Sequence, residues 1–357
     1  MSELTDVMSD PARLDKLDGV QWDNLLKLAR AAKVLARLHG YAQEREVLND
    51  IPPAARDVLQ GARIYADYRQ LLARRELREL SEVFAECGYP VVLLKGAAYL
   101  LAELSPGIGR RLNDIDILVP HQKLALTEAL LQEAGWGFDE ALTDYDERYY
   151  RDWSHEIPPM RRQDSPLELD VHHNLIQSSS RIKIDAGKLW PGLVAVPGTP
   201  FSVLAPTDMV LHSATHLFMS DELRGGLRDL VDIHMLCNHF MARDSGYWMQ
   251  LVRRAEELGV QRPLYYAASA MRRILDAAVP DEAFAAIEKN RPWWLVDKLM
   301  QDAIDRHLAP HSLAEMHSWY ASNLLYLRSH WIRMPPLLLV RHLVYKWWVG
   351  RRAVSNS

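Results

Sequence analysis

Cysteine is almost missing from this chain: Cys87 and Cys237 are the only two in 357 residues. So few thiols exclude a disulfide framework and fit a reducing compartment, so the expected location is cytoplasmic. Long apolar runs are missing too. No uncharged stretch approaches the roughly 20 residues that a membrane helix needs, which argues against an integral span. The opening Met1-Ser2-Glu3-Leu4-Thr5-Asp6 is acidic and polar. It has neither the charged nor the apolar region of a signal peptide. Basic charge is not in excess, since 42 Lys and Arg face 47 Asp and Glu for a net charge of −5. That balance argues against a broadly basic nucleic-acid surface and still allows a small basic pocket. Internal repeats and low-complexity segments are absent as well.

What is present is an ordinary globular composition, 48% hydrophobic and 25% charged, on a chain long enough for two or three domains. Residues 1–20 are polar and read as a loose tail. From Trp22 to Leu38, the residues Leu25, Leu26, Leu28, Ala29, Ala32 and Leu35 recur at helical spacing. Asn49-Asp50-Ile51-Pro52-Pro53 breaks the pattern, and a proline there suits the start of a new helix. That helix is expected from about Ala54 to Cys87. Its apolar stripe would be Leu59, Ile64, Tyr65, Tyr68, Leu71, Leu72, Leu77, Leu80 and Phe84, and Gly88-Tyr89-Pro90 ends it.

Next come strand Val91–Leu94, a turn at Lys95-Gly96, a helix through Ala97–Leu104 and strand Asp114–Val119. A helix from about Gln122 stops at Gly135. A strand near Trp153–Ile157 and another over Leu167–His173 complete a small sheet. Beyond Pro206 the pattern is helical almost to the end, with Thr207 or Asp208 as its first cap. The expected fold class is α+β and mostly helical. An N-terminal helical region (1–88) and a C-terminal helical domain (206–357) would flank a small mixed β-sheet core (89–205).

The chemistry concentrates in two strands. In Asn113-Asp114-Ile115-Asp116-Ile117-Leu118-Val119 the polar and apolar residues alternate, so Asp114 and Asp116 share one strand face. Two neighbouring carboxylates repel unless a cation lies between them, and hard oxygen ligands of this kind suit Mg²⁺. In Leu167-Glu168-Leu169-Asp170-Val171-His172 a second acidic strand offers Glu168, Asp170 and His172 on one face. Lys95 and Arg110 are the natural cations for a polyphosphate, with Arg111 as a second candidate. Gly96 would let backbone approach a phosphate, and the helix opening at Ala97 would add N–H donors.

These residues carry a resemblance. The run from about Val91 to His173 resembles the DNA polymerase β-like nucleotidyltransferase superfamily. Within it, the chain resembles the bacterial family of uncharacterised nucleotidyltransferases. The matching motifs are Leu94-Lys95-Gly96, Arg110, Asp114-Ile115-Asp116-Ile117-Leu118-Val119 and Asp170-Val171-His172. The resemblance implies a nucleotidyltransferase core that moves a nucleoside monophosphate, most simply AMP from ATP, to a hydroxyl or phosphate acceptor and releases pyrophosphate. Asp114, Asp116 and Asp170 would hold two Mg²⁺ ions, with Mn²⁺ as the alternative, and Asp170 would also take the acceptor's proton. Lys95, Gly96, Ala97, Arg110 and Arg111 would bind the nucleotide. The chain departs from the superfamily in reading Gly96-Ala97 where Gly-Ser or Gly-Gly is common. Its interval from Gly96 to Asp114 is also longer and includes the loop Ser105-Pro106-Gly107-Ile108-Gly109. A different class of function stays open on the same fold, a catalytically silent module that binds nucleotide or a partner.

In the helical region His212 and His216 stand four apart, followed by Arg228, Asp229 and Asp232. One reading makes His216, Arg228 and Asp229 face the acceptor, with His172 either contacting a phosphate or acceptor or supporting the site through a hydrogen bond to Asp170. The other makes Arg228 and Asp232 a helix-surface pair. A zinc pair is not expected, because no glutamate lies between the histidines in His-Glu-x-x-His fashion. No acidic residue follows Glu315, and the tail carries Arg328, Arg333, Arg341, Lys346, Arg351 and Arg352 among Trp331, Tyr345, Trp347 and Trp348. Such a tail suits an anionic membrane surface or RNA, or simply packs on the helical domain with solvated arginines. The acceptor itself, whether a small molecule, a protein side chain or an RNA end, is not written in the sequence.

Overall fold

Short strands and long helices divide the chain. The computed structural model describes residues 2–138, 150, 154–177, 179–219 and 223–333. Trp153 and the basic tail beyond Ile332 fall outside the residues whose side chains are described. Among the described residues, seven strands form one mixed sheet. They are β1 (Val91–Leu93), β2 (Asp114–Leu118), β3 (Gly137–Phe138), β4 (Met160–Arg161), β5 (Glu168–His172), β6 (Val194–Ala195) and β7 (Phe201–Val203). Their order is β3-β4-β5-β2-β1-β7-β6. β2 runs antiparallel to β1 and parallel to β5, and β1 runs parallel to β7. Val91, Val92, Leu93, Ile115, Ile117, Leu169 and Val171 are fully buried in these central strands, which holds their register.

Four helices precede the sheet: α1 (Glu3–Ser9), α2 (Gly19–Ala31), α3 (Leu35–Glu44) and α4 (Pro53–Phe84). Within it lie α5 (Lys95–Leu101) and α6 (Leu124–Glu133). Among the described residues, eight follow: α7 (Pro206–Met219), α8 (Leu227–Met241), α9 (Tyr247–Leu258), α10 (Gln261–Ile274), α11 (Asp281–Glu288), α12 (Trp294–Leu308), α13 (Leu313–Met316) and α14 (Trp319–Arg333). The α+β, mostly helical reading holds. One apolar core runs from Leu4 to Leu325 through most of these elements. None of the described helices is long and apolar enough to cross a membrane.

Several local expectations need correction. The first residues are not a loose tail. Ser2 and Thr5 form a reciprocal capping box, and α1 buries Leu4, Val7 and Met8 at helical spacing. The helix expected over Trp22–Leu38 is broken by Lys33, whose φ of 61° is left-handed, so it becomes α2 and α3. On α4 the large residues Ile64, Tyr65, Tyr68 and Leu71 face solvent. The buried face instead runs through Leu59, Ala66, Arg69, Ala73, Glu76, Leu77, Leu80 and Phe84. Small alanines carry part of the buried face, so bulk alone misplaces the stripe.

The segment near Ile157 is a single bridge, Glu156 to His172, and not a strand. The ladder resumes at β4 only after Pro158-Pro159, because prolines donate no N–H to it. Neither Thr207 nor Asp208 caps α7, which starts at Pro206. Asp208 is buried in the first turn, where it accepts from Arg254 Nε at 2.6 Å and Nη2 at 2.9 Å. Finally, α5 opens at Lys95 rather than at Ala97 and ends at Leu101.

Candidate active site

The parallel pairing of β2 and β5 sets the site. Their register places Asp114 opposite Glu168, Asp116 opposite Asp170 and Leu118 opposite His172. Asp114, Asp116, Asp170 and His172 therefore converge on one sheet face. They line a cavity of about 530 Å³ together with Lys95 and Gly96 from the start of α5, Arg110 and Arg111 from the loop before β2, and His216, Arg228 and Asp229 from α7 and α8. That volume suits a nucleotide-sized ligand.

The backbone around Lys95 aims its side chain. The Leu94 N–H donates to the Asp116 carbonyl at 3.0 Å, which extends the β1–β2 pairing to the turn. Lys95 then takes a left-handed φ of 44°, so within the expected Lys95-Gly96 turn the left-handed backbone falls on the lysine. Lys95 Nζ donates to Asp116 Oδ1 at 2.8 Å. Gly96 is needed for another reason. A Cβ there would meet Arg110 Nε at 3.1 Å and Leu112 Cγ at 3.3 Å. Ala97 is buried and does not line the cavity.

Asp116 is the electrostatic centre. Its Oδ1 also lies 3.1 Å from His172 Nε2, so the expected His172–Asp170 bond goes to Asp116 instead. Burial opposes the Asp116 charge, but Lys95 and His172 outweigh it and hold the carboxyl well below the ordinary carboxylate range. Burial likewise works against a His172 imidazolium, and Asp116 with Glu156 overcomes it, so the His172 pKa is raised. His172 Nδ1 faces Glu156 Oε2 at 3.3 Å. Asp170 has the opposite balance. Burial and the neighbouring Asp116 charge push it up to about 7. Its Oδ1 is buried without a hydrogen-bond partner. An uncompensated buried carboxylate oxygen beside a second carboxylate is what an oxygen-seeking dication fits. Glu168 pairs with Arg161 and does not line this cavity.

Arg110 is buried, while Arg111 is half-buried at the cavity rim. Arg110 pairs with Asp229 at 3.3 Å and contacts Asp232. Burial and the neighbouring Arg228 lower it to about 10. The Arg111 guanidinium stands 5.9 Å from the centre of the exposed Tyr65 ring. Arg228 donates to Asp229 Oδ1 through Nε at 3.0 Å and Nη2 at 2.9 Å, so the expected Arg228–Asp232 pair does not form. His216 is kept neutral, lowered to about 3 by Lys95 and by burial. Among the described residues, His212 and His216 belong to no group of donors close enough to share an ion.

Other residues hold the site in place and were not legible in advance. Arg37 on α3 donates to Asp232 Oδ1 at 2.8 Å and to the Pro106 carbonyl at 2.9 Å. Gln70 on α4 donates to the carbonyls of Gly107 at 2.7 Å and Arg110 at 2.9 Å, so the long loop is pinned from both sides. Arg69 donates to the Leu112 carbonyl at 2.8 Å and the Pro166 carbonyl at 3.3 Å, which clamps the leading ends of β2 and β5 together. Arg69 did carry a signal, a charge in phase with Ala66 and Ala73 on the buried face of α4.

The model of a family described as uncharacterised nucleotidyltransferase matches residues 18–276. No curated protein and no solved structure gives a match to the chain.

Proposed function

Because the chain belongs to the uncharacterised nucleotidyltransferase family, we propose that it moves a nucleoside monophosphate, most simply AMP from ATP, to a hydroxyl or phosphate acceptor. The catalytic core in this reading is the sheet region 89–205, of DNA polymerase β-like type, and the reaction releases pyrophosphate. One observation carries the proposal: Asp116 and Asp170 are register partners on parallel strands, and an Asp170 oxygen is buried without a partner at the cavity wall.

Asp114, Asp116 and Asp170 would hold two Mg²⁺ ions, or Mn²⁺, which supply charge neutralisation at the attacking and leaving oxygens. The chain's own groups do the rest. Lys95 swings from Asp116 to the triphosphate as a point charge. Arg228 and Arg111 meet phosphate oxygens from the cavity rim, while Arg110 orders that rim through Asp229 and Asp232. Asp170 would also take the acceptor's proton. His172 keeps Asp116 oriented. Neutral His216 offers the acceptor a hydrogen bond without adding charge.

A second reading, a module that binds nucleotide without turnover, is favoured by one observation. Lys95 and His172 both engage the same Asp116 oxygen, so any cation must compete for it. Incubation with Mg²⁺ or Mn²⁺, each α-labelled NTP and a lysate fraction decides between the two. Label reaching an acceptor with the wild type, and not with Asp114→Ala/Asp116→Ala, supports transfer. NTP binding without label transfer supports the silent module.

A further inference from the structure

One wall of the cavity carries a second donor cluster with different chemistry. The segment leading to Pro158 runs antiparallel beside β5. Glu156 bridges to His172, and the His173 N–H donates to the His155 carbonyl at 2.8 Å. This pairing gathers two imidazoles and a carboxylate. Glu156 Oε2 lies 3.3 Å from His172 Nδ1 and 3.8 Å from His155 Nε2. One donor atom from each of the three residues falls within 4.8 Å of the others. The two imidazole centroids are 5.3 Å apart. His155 Nδ1 is buried and has no hydrogen-bond partner.

The donor set discriminates between cations. Mg²⁺ takes oxygen ligands, whereas imidazole suits zinc, copper, iron and nickel. Two imidazoles and one carboxylate are the ligands of an open zinc-class site, which keeps a further position for water or substrate. The far nitrogen of His172 is already fixed. Nε2 engages Asp116 Oδ1 at 3.1 Å, which turns Nδ1 to the cluster, where it becomes a ligand once an incoming cation displaces its proton. A carboxylate behind a ligating imidazole is the usual support of such a ligand, because it sets the tautomer and the ring orientation.

We propose that His155, Glu156 and His172 bind one divalent transition-metal ion of the zinc class, separate from the aspartate site and with an open position facing the cavity. The ion neutralises Glu156 and locks the 154–157 segment to β5. It also couples through His172 to Asp116, so the two sites share one hydrogen bond. The open position accepts water or a phosphate oxygen.

The test needs no nucleotide, so it stands or falls apart from the transfer reaction. Full-length protein is stripped with a chelator and titrated with Co²⁺ in a large excess of Mg²⁺, following the visible d–d absorption. One Co²⁺ per chain is expected, displaced by Zn²⁺. His155→Ala and Glu156→Gln should each weaken it by at least about tenfold. Both side chains are partly exposed, at 20% and 31%, so the variants should keep the wild-type circular dichroism and melting curve in the metal-free state. Asp170→Asn should leave Co²⁺ binding unchanged. Absence of a saturable Co²⁺ site overturns the proposal. So does binding that both variants leave intact, or binding that only Asp170→Asn removes, since that would put the ion on the aspartates.

Discussion

Asp116 on β2 lies directly opposite Asp170 on the parallel strand β5, and their surroundings push them in opposite directions. Asp116 is held ionised by Lys95 and His172, while Asp170 is raised to about 7 by burial and by Asp116. Asp116→Asn keeps the shape and removes the charge on which both cations converge. Transition-state stabilisation worth several kcal/mol is lost with it, so label transfer should fall by more than about 100-fold. Unchanged circular dichroism would locate the loss in the site. A fall of less than tenfold would mean that Asp116 is not a ligand for the reaction.

The rim of the cavity rests on one buried carboxylate between two arginines. Asp232 is paired with Arg37 at 2.8 Å and also with Arg110, and all three are nearly inaccessible to water. Asp232→Ala leaves two guanidiniums buried with only Asp229 nearby. Removing one partner of a buried ion pair costs about 3–5 kcal/mol. Urea unfolding should show that loss, and a change under 1 kcal/mol would contradict the assigned role.

The N-terminal residues are structural. Leu4 is fully buried in α1, so Leu4→Ala should destabilise the protein by about 2–5 kcal/mol in the same urea assay. A truly loose tail would tolerate this substitution without any change in midpoint.

His173 gives stability a pH dependence. Burial, the His121 ring with its centroid at 4.8 Å, and His172 lower it to about 4. In the unfolded chain its pKa is near 6.5, so below that pH the unfolded state binds more protons. The contribution of neutral His173 is therefore complete above about pH 6.5 and is lost as pH falls towards 4. His173→Gln should flatten the urea midpoint between those limits. An equally steep decline in the variant would assign the acid sensitivity elsewhere.

Much of the site was legible because its signals are local. Period-two alternation exposed β2 and β5, and acidic residues within otherwise apolar strands marked Asp114, Asp116 and Asp170. The turn after β1 was legible as Lys95-Gly96, although the glycine drew attention while Lys95 carried the left-handed backbone. Apolar bulk misled on α4, where Tyr65 and Tyr68 are exposed and Ala66 and Ala73 are buried. The supports escaped notice because they are long-range. Arg37 and Asp232 stand 195 residues apart, and no spacing rule joins them. Glu156 was passed over although its segment was expected to join the sheet, because no sequence signal brings its carboxylate against His172.

The central claim is transfer of a nucleotide at the paired carboxylates, and pyrophosphate release tests it most directly. Wild-type protein, ATP, Mg²⁺ and an acceptor-containing lysate fraction should release pyrophosphate in step with labelling of the acceptor. Asp170→Asn should abolish both while still binding ATP. Equal release by wild type and Asp170→Asn, or acceptor labelling without pyrophosphate, would contradict the account.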